Sequence, residues 1–313
     1  ISHRAIMLGA LAEGTTEVSG FLEGEDCLAT MRAFQAMGVE IVHHGAGRVT
    51  IHGTGLHGLR APAAPLDVGN SGTSMRLLAG VLAGQPFNSV LVGDASLMKR
   101  PMRRVTEPLA RMGAEIATSD AGTAPLVIHG RPLHAIDYTL PVASAQLKSA
   151  LLLAGLFAEG TTRVTETGVS RDHSERMLRG FGVEIVQDGA TLVIRGGQRL
   201  SACEVVVPGD VSSAAFFIVA ALIAREGALL LENVGINPTR AAVVEILRAM
   251  GGDIEILHAR EAGGEPVAFH VDRILNRLEI IVKNVNRQVL NIPGISGATI
   301  LGDGRVVPVL ELL

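Results

Sequence analysis

The side chains able to do chemistry sit in short polar strings that recur along the chain. Ser2-His3-Arg4, Asn70-Ser71-Gly72-Thr73, Ser144-Ala145-Gln146 and Ser212-Ser213 each lead into an apolar stretch of helical spacing. A helix start offers unpaired backbone N–H groups and the positive end of the helix dipole, so it attracts anions. The same residue types are ordinary N-caps, and a cap suffices to explain any one start. Several starts aimed at one cleft would instead suit a polyanion.

Three strings add charge to this pattern. In Gly69-Asn70-Ser71-Gly72-Thr73-Ser74-Met75-Arg76, Gly72 permits close backbone approach, the hydroxyls can donate to phosphate, and Arg76 is cationic. It is not a P-loop, because GK[ST] is missing; an oxyanion loop and a structural turn fit it equally. Lys99-Arg100-Pro101-Met102-Arg103-Arg104 is either a solvated basic turn or an arginine clamp for phosphate or carboxylate. In Ser170-Arg171-Asp172-His173-Ser174-Glu175, Asp172 and Glu175 have capping-box spacing, which leaves Ser170 and Arg171 to meet a ligand. His43-His44 lacks other metal ligands nearby in sequence, and HExxH, CxxC and catalytic-triad signatures are absent. Neither metal nor covalent catalysis is expected, and no cofactor.

The elements that must position these strings form a unit repeated four times. Each copy runs helix, short strand, loop, second helix, then an apolar residue and glycine entering a strand. The second helices end at Met37-Gly38, Met112-Gly113, Phe181-Gly182 and Met250-Gly251, with glycines 75, 69 and 69 residues apart (113−38, 182−113, 251−182). A fixed period of this kind sets the architecture. Helices are expected over 5–12, 75–82, 147–157, 173–181, 214–224 and 239–250, with a further helix in each of the first two copies. Strands are expected over 15–18, 39–42, 48–51, 89–92, 162–164, 183–186 and 191–194. Gly- and Pro-containing separators run from His57 to Gly69, Gly130 to Pro141 and Gly196 to Asp210. This predicts an α/β protein with helices packed on sheets, three copies closing around a pseudo-threefold axis and a fourth opening a second lobe near Gly209-Asp210. From about 269 the rhythm changes to strands with a polar face over 276–288 and a Gly-punctuated hairpin over 291–313.

Bulk properties narrow the partners. With 313 residues, 48% hydrophobic and 19% charged, the chain is globular and long enough for two lobes. A net charge of −4 and 3% aromatic residues argue against nucleic acid and acidic membrane, while leaving room for a local cationic pocket. The longest apolar run, Ala214 to Ala224, is too short to span a membrane and suits a buried helix. Two cysteines far apart in sequence, Cys27 and Cys203, fit a reduced, cytoplasmic protein. No signal peptide is expected, and the opening on Ile1 suggests that residues are missing at the start.

On these motifs the chain resembles the enolpyruvyl transferase family, in particular its branch acting on shikimate 3-phosphate. The last four positions of the family's opening Lys-Ser-x-Ser-x-Arg are matched by Ile1-Ser2-His3-Arg4. Gly69 to Arg76, Lys99-Arg100-Pro101, Ser144-Ala145-Gln146, Ser170-Arg171-Asp172-His173 and Gly209 to Ala214 follow in family order, over about residues 1–268. The resemblance implies two lobes of βαβαββ modules: a complete first lobe over 1–208, one module of the second over 209–268, and a divergent tail over 269–313. It implies transfer of the enolpyruvyl group of phosphoenolpyruvate to the 5-hydroxyl of shikimate 3-phosphate, by a monomer without cofactor. Shikimate 3-phosphate contacts would fall on Ser2, Arg4, Ser144, Ala145, Gln146, Ser170 and Arg171. Phosphoenolpyruvate contacts would fall on Gly72, Arg100 and Gln146, with Asp26, Asn70, Thr73 and Arg76 in support.

Departures from the family also carry expectations. The family's catalytic lysine would precede Ile1 by two positions, and its second-lobe acid–base and phosphoenolpyruvate-binding residues have no counterpart here. Glyphosate tolerance, or binding of shikimate 3-phosphate without turnover, would follow. Residues 291–313 resemble the regulatory domain of chemotaxis-type histidine kinases, and an adaptor role would follow from that. The UDP-sugar branch of the family is disfavoured, since its reactive-cysteine loop has no match.

Overall fold

The computed structural model describes residues 1–224 and 229–256, together with the backbone of two strands at 295–300 and 306–310. The chain divides into two units, Ile1–Val207 and Pro208–Leu313. Six helices build the first: α1 (Ser2–Leu11), α2 (Glu25–Ala36), α3 (Gly72–Ala83), α4 (Arg103–Arg111), α5 (Ala145–Gly155) and α6 (His173–Gly180). Helices α1, α3 and α5 are apolar nearly all round beyond their first turn and are buried almost end to end. Helices α2, α4 and α6 bury one stripe each, for example Cys27, Met31 and Phe34 on α2, and keep a charged face outward. Inner helices α3 and α5 touch through backbone: a methyl group on Gly80 would stand 2.3 Å from the Ala150 carbonyl oxygen.

The strands fall into three sheets of one topology. The first module supplies β1 (Glu13–Ser19), β2 (Glu40–Gly45) and β3 (Arg48–Thr54). The second supplies β4 (Leu66–Asp67), β5 (Asn88–Val92), β6 (Glu115–Ala117) and β7 (Leu126–His129), ordered β4-β5-β7-β6. A short pair, β8 (Leu133–His134) with β10 (Ala158–Glu159), flanks the third. That module orders β9 (Asp137–Thr139), β11 (Thr161–Thr165), β12 (Ile185–Asp188) and β13 (Thr191–Arg195) as β9-β11-β13-β12. Strand β14 (Glu204–Val206) then lies parallel to β1, Val205 opposite Val18, and completes the first sheet as β14-β1-β3-β2. The last strand of the unit thus takes the place that β4 and β9 take in their sheets, and joins the unit's end to its beginning.

The α/β architecture expected from the repeat is present, with sharper edges. The glycines that mark the repeat, Gly38, Gly113, Gly182 and Gly251, have φ of 87°, 91°, 83° and 93°, the left-handed caps that end the second helices. The separators are more than linkers, for they hold β4, β9 and β14, parallel edge strands of two or three residues. Strands that short carry no alternation to read.

In the second unit, β15 (Gly209–Asp210) and β16 (Val234–Gly235) pair in parallel, and α7 (Val211–Ile223) packs with α8 (Ala242–Ala249). The expectation of a buried helix at 214–224 is corrected here. Helix α7 buries Val211, Ala214 and Ile218, while Phe216 and Ile223 are 79% and 77% exposed. Among the described residues this unit has one module, which covers one side of a helix that is apolar from Ala214 onward. Strands β17 (Ile295–Ile300) and β18 (Val306–Leu310) pair antiparallel. The polar-faced strands expected over 276–288 lie outside the described residues, as do the side chains behind the kinase-like reading of 291–313.

Candidate anion site at three helix starts

The starts of the three inner helices are joined pairwise by side-chain hydrogen bonds. Between α1 and α3, His3 Nδ1 lies 3.2 Å from Ser74 Oγ and 2.8 Å from Thr30 Oγ1, which is 2.6 Å from Ser74 Oγ. Between α3 and α5, Gln146 Nε2 donates to Thr73 Oγ1 (3.0 Å) and Arg76 Nη1 donates to Gln146 Oε1 (3.0 Å). Between α5 and α1, Arg4 Nη2 donates to Ser149 Oγ (2.9 Å). The triangle is closed, so three positive helix ends share one region.

Each of these helices also carries a cation within its first five residues. Arg4, Arg76 and Lys148 are 72 residues apart (76−4, 148−76). Their partners differ. Arg76 donates to Gly72 O (3.2 Å), Pro101 O (3.4 Å) and Gln146, and its guanidinium is pushed down by burial, then by Arg100 and Arg104. That mutual repulsion between cations is relieved by an anion set among them. Arg4 donates through Nε to Ser174 Oγ (2.6 Å); burial lowers its guanidinium to about 10, against the pull of Glu175 and with a push from Arg171. At neutral pH it remains charged.

Lys148 is the exception, because its charge is already spent. Its ammonium is fully buried between Glu175 Oε1 (2.6 Å) and Glu166 Oε2 (2.9 Å). Glu166 in turn accepts from Ser170 Oγ through its other oxygen. The capping-box reading of Asp172 and Glu175 is corrected by this arrangement. Asp172 makes no side-chain cap and instead accepts from Arg176 Nε (2.7 Å), while Glu175 is turned inward, 3% exposed, to meet Lys148. The charge of a buried lysine outweighs one backbone N–H as a partner for a carboxylate.

A second cationic corner lies beside α3. Arg100 Nη2 donates to Asn70 Oδ1 (2.6 Å), and Asn70 Nδ2 donates to Asp94 Oδ2 (2.6 Å). Asp94 Oδ1 accepts from the backbone N–H of Leu97 (2.7 Å) and Ser96 (3.0 Å). The bond from Asn70 and those N–H groups hold the Asp94 carboxyl below its usual range, with Arg100 adding to them. A methyl group on Gly72 would stand 2.8 Å from Arg76 Nη1 and 3.2 Å from Arg100 Nη1, so this glycine lets two guanidinium groups approach the backbone.

The remaining expected residues take supporting places. Ser2 is buried and its Oγ accepts from Leu22 N (3.0 Å). Ser144 caps α5 by accepting from Leu147 N (3.4 Å), and Ala145 opens that helix. Asp26, in the first turn of α2, meets His3 Nε2 at 3.2 Å. Arg171 is exposed and acts on Arg4 at a distance. Sequence reasoning missed Thr30, Asp94, Lys148, Ser149, Glu166 and Ser174. The signal for Lys148 was present in the 72-residue spacing of Arg4, Arg76 and Lys148. His43 and His44 pair with Glu23 and Thr50. Among the described residues, one group of metal-ligating side chains gathers, His3, Asp26 and Cys27. No described helix is long and apolar enough to cross a membrane.

Comparison with known proteins follows the same residues. The family model of EPSP synthase (3-phosphoshikimate 1-carboxyvinyltransferase) matches residues 1–298, thirty residues past the expected end of the resemblance near 268. A 3-phosphoshikimate 1-carboxyvinyltransferase of Methylococcus capsulatus is 65% identical over 86% of this chain and 62% of its own length. One from Geobacter metallireducens is 56% identical over 98% of this chain and 72% of its own. The solved structure of EPSP synthase from Acinetobacter baumannii superposes with a TM-score of 0.82 at 56% identity, over 86% of this chain and 61% of that one. The chain thus spans about three fifths of the length of the first relatives it matches.

Proposed function

The chain belongs to the EPSP synthase family, and from that premise we propose that it serves transfer of the enolpyruvyl group of phosphoenolpyruvate to the 5-hydroxyl of shikimate 3-phosphate, with release of phosphate. The observation that carries this reading is the closed triangle of hydrogen bonds at the three inner helix starts, with Arg4 and Arg76 on it. Two polyanionic substrates need a preorganised cluster of N–H groups and cations, and such a cluster costs no reorganisation during reaction.

In this proposal the first unit holds shikimate 3-phosphate through Ser144, Ala145, Gln146, Ser170, Arg171, Arg4 and Ser2. Ser170 is oriented by Glu166, and Gln146 spans the two ligands because it already touches Thr73 and Arg76. Arg100, positioned by Asn70 and Asp94, takes phosphoenolpyruvate beside Gly72. The 5-hydroxyl loses its proton as its oxygen adds to C2 of the enol and the methylene carbon gains a proton; the tetrahedral adduct then loses a proton from that methyl group as the C–O bond to phosphate breaks, which restores the enol double bond. The groups that move those protons are not assigned to any described residue. A monomeric, cytoplasmic protein is part of the same proposal, and the unpaired Cys27 and Cys203 agree with a reducing compartment.

The test is phosphate release from phosphoenolpyruvate and shikimate 3-phosphate by the purified full chain, beside calorimetric binding of shikimate 3-phosphate. Turnover that needs both substrates supports the proposal. Saturable binding with no release would reduce the chain to a binding module, and no binding would overturn the site itself.

A further inference from the structure

Beside the helix-start triangle, on its α2 side, three donors of different chemistry meet. His3 Nε2 is 3.2 Å from Asp26 Oδ2 and 3.7 Å from Cys27 Sγ, and the three ligand atoms all lie within 4.8 Å of one another. A tetrahedral zinc ion with bonds of about 2.0–2.2 Å to nitrogen and oxygen and about 2.3 Å to sulfur sets its ligands roughly 3.3–3.6 Å apart. Two of the three edges, at 3.2 and 3.7 Å, lie within about 0.1 Å of that range. The third closes by rotation of the Asp26 side chain, which is 49% exposed, whereas His3 and Cys27 are fixed in the core.

We propose that His3, Asp26 and Cys27 form a binding site for one borderline-soft divalent cation, with Zn2+ as its reference ion. The surroundings prepare each donor. His3 Nδ1 points into the hydroxyls of Thr30 (2.8 Å) and Ser74 (3.2 Å). Thr30 donates to the Asp26 carbonyl (3.2 Å), so its oxygen can accept from Nδ1–H in the tautomer that frees the Nε2 lone pair for the ion. An outer hydrogen bond on the far ring nitrogen is the usual support of a metal-bound histidine. Asp26 Oδ1 is occupied by Cys27 N (2.9 Å), which keeps Oδ2 for the ion. Imidazole, carboxylate and sulfur together select Zn2+, Co2+ or Cd2+ over Mg2+ and Ca2+. The thiol gives up its proton as the cation binds, one proton leaving per ion. Access is through Asp26, and water completes the coordination on that side. Binding would tie α1 to α2 one residue from Ser2 and Arg4, so the ion would also stiffen the helix-start triangle; the site itself does not depend on the function proposed above.

The experiment is titration of the chelator-stripped full chain with Zn2+ against a chromophoric chelator, and with Co2+ followed by its thiolate charge-transfer absorption. One equivalent should bind per chain, unaffected by excess Mg2+. Cys27→Ala should abolish the Co2+ thiolate band, and Asp26→Asn, an exposed change that spares the core, should weaken Zn2+ binding at least about tenfold. Thr30→Val should weaken it by about 10- to 100-fold through the imidazole. Cys203→Ala should bind as wild type does. Unchanged affinity in Asp26→Asn and Cys27→Ala, or loss of the thiolate band in Cys203→Ala instead, would overturn the proposal, as would the absence of any bound equivalent; the pair would then be an ordinary imidazole-to-carboxylate hydrogen bond.

Discussion

Replacing Lys148 by methionine should be the most damaging single change in the first unit. The side chains are similar in length, so packing is kept and the loss is electrostatic. The ammonium is fully buried and lies 2.6 Å from Glu175 and 2.9 Å from Glu166. Glu175 is 3% exposed and its Oε2 has no hydrogen-bond partner among the described residues, so Lys148 is its main compensation. In the wild type Arg4 and Lys148 balance Glu166 and Glu175; in Lys148→Met one negative charge is left over in the interior. Breaking a buried pair from one side costs about 3–5 kcal/mol. At about 2–4 °C per kcal/mol for a unit of this size, melting should fall by roughly 6–20 °C. Adding Glu175→Gln restores the charge balance and should recover most of the loss in a thermal or denaturant melt. Glu166, still unpaired by Lys148, no longer orients Ser170, so affinity for shikimate 3-phosphate should stay low in the double variant. A loss below about 1 kcal/mol for Lys148→Met, the range of an exposed pair, would refute the reasoning. So would a double variant no more stable than the single one.

Three further outcomes follow from the same geometry. Arg100→Ala should weaken any phosphoenolpyruvate-dependent effect about tenfold or more, as loss of a charge-assisted bond of about 1.5–3 kcal/mol implies. Binding of shikimate 3-phosphate alone should be little changed, and equal loss of both in calorimetry would contradict the assignment. Gly72→Ala should displace the ends of Arg76 and Arg100, which would stand 2.8 and 3.2 Å from the new methyl; competition binding should show weaker phosphoenolpyruvate and glyphosate at nearly unchanged melting temperature. Glu23 accepts from Gly47 N (2.8 Å) and His43 Nε2 (2.9 Å), and these bonds lower its carboxyl below the ordinary value of 4.5. Its contribution is therefore present above that value and lost as pH falls through the lowered one, so melting curves of Glu23→Gln should depend less on pH in that window than those of the wild type.

What the sequence disclosed and what it hid divide along a physical line. The inner helices, their starts and the glycine caps were legible because periodicity and left-handed φ are local properties, as Gly38 and Gly113 illustrate. The edge strands β4, β9 and β14 were hidden, since two or three residues become a strand only when a distant neighbour such as β1 pairs with them. Glu175 shows the same limit in a side chain. Its spacing from Asp172 fits a capping box, and only the fold brings Lys148, 27 residues earlier (175−148), to claim it. Asp94 resembles any loop aspartate until Asn70 and Arg100 are seen to depend on it. A site built where three repeats meet is therefore visible in sequence as helix starts that could each be a mere cap. The contacts that gather those starts, such as Gln146 to Thr73, join residues 73 apart and are recorded in no local pattern.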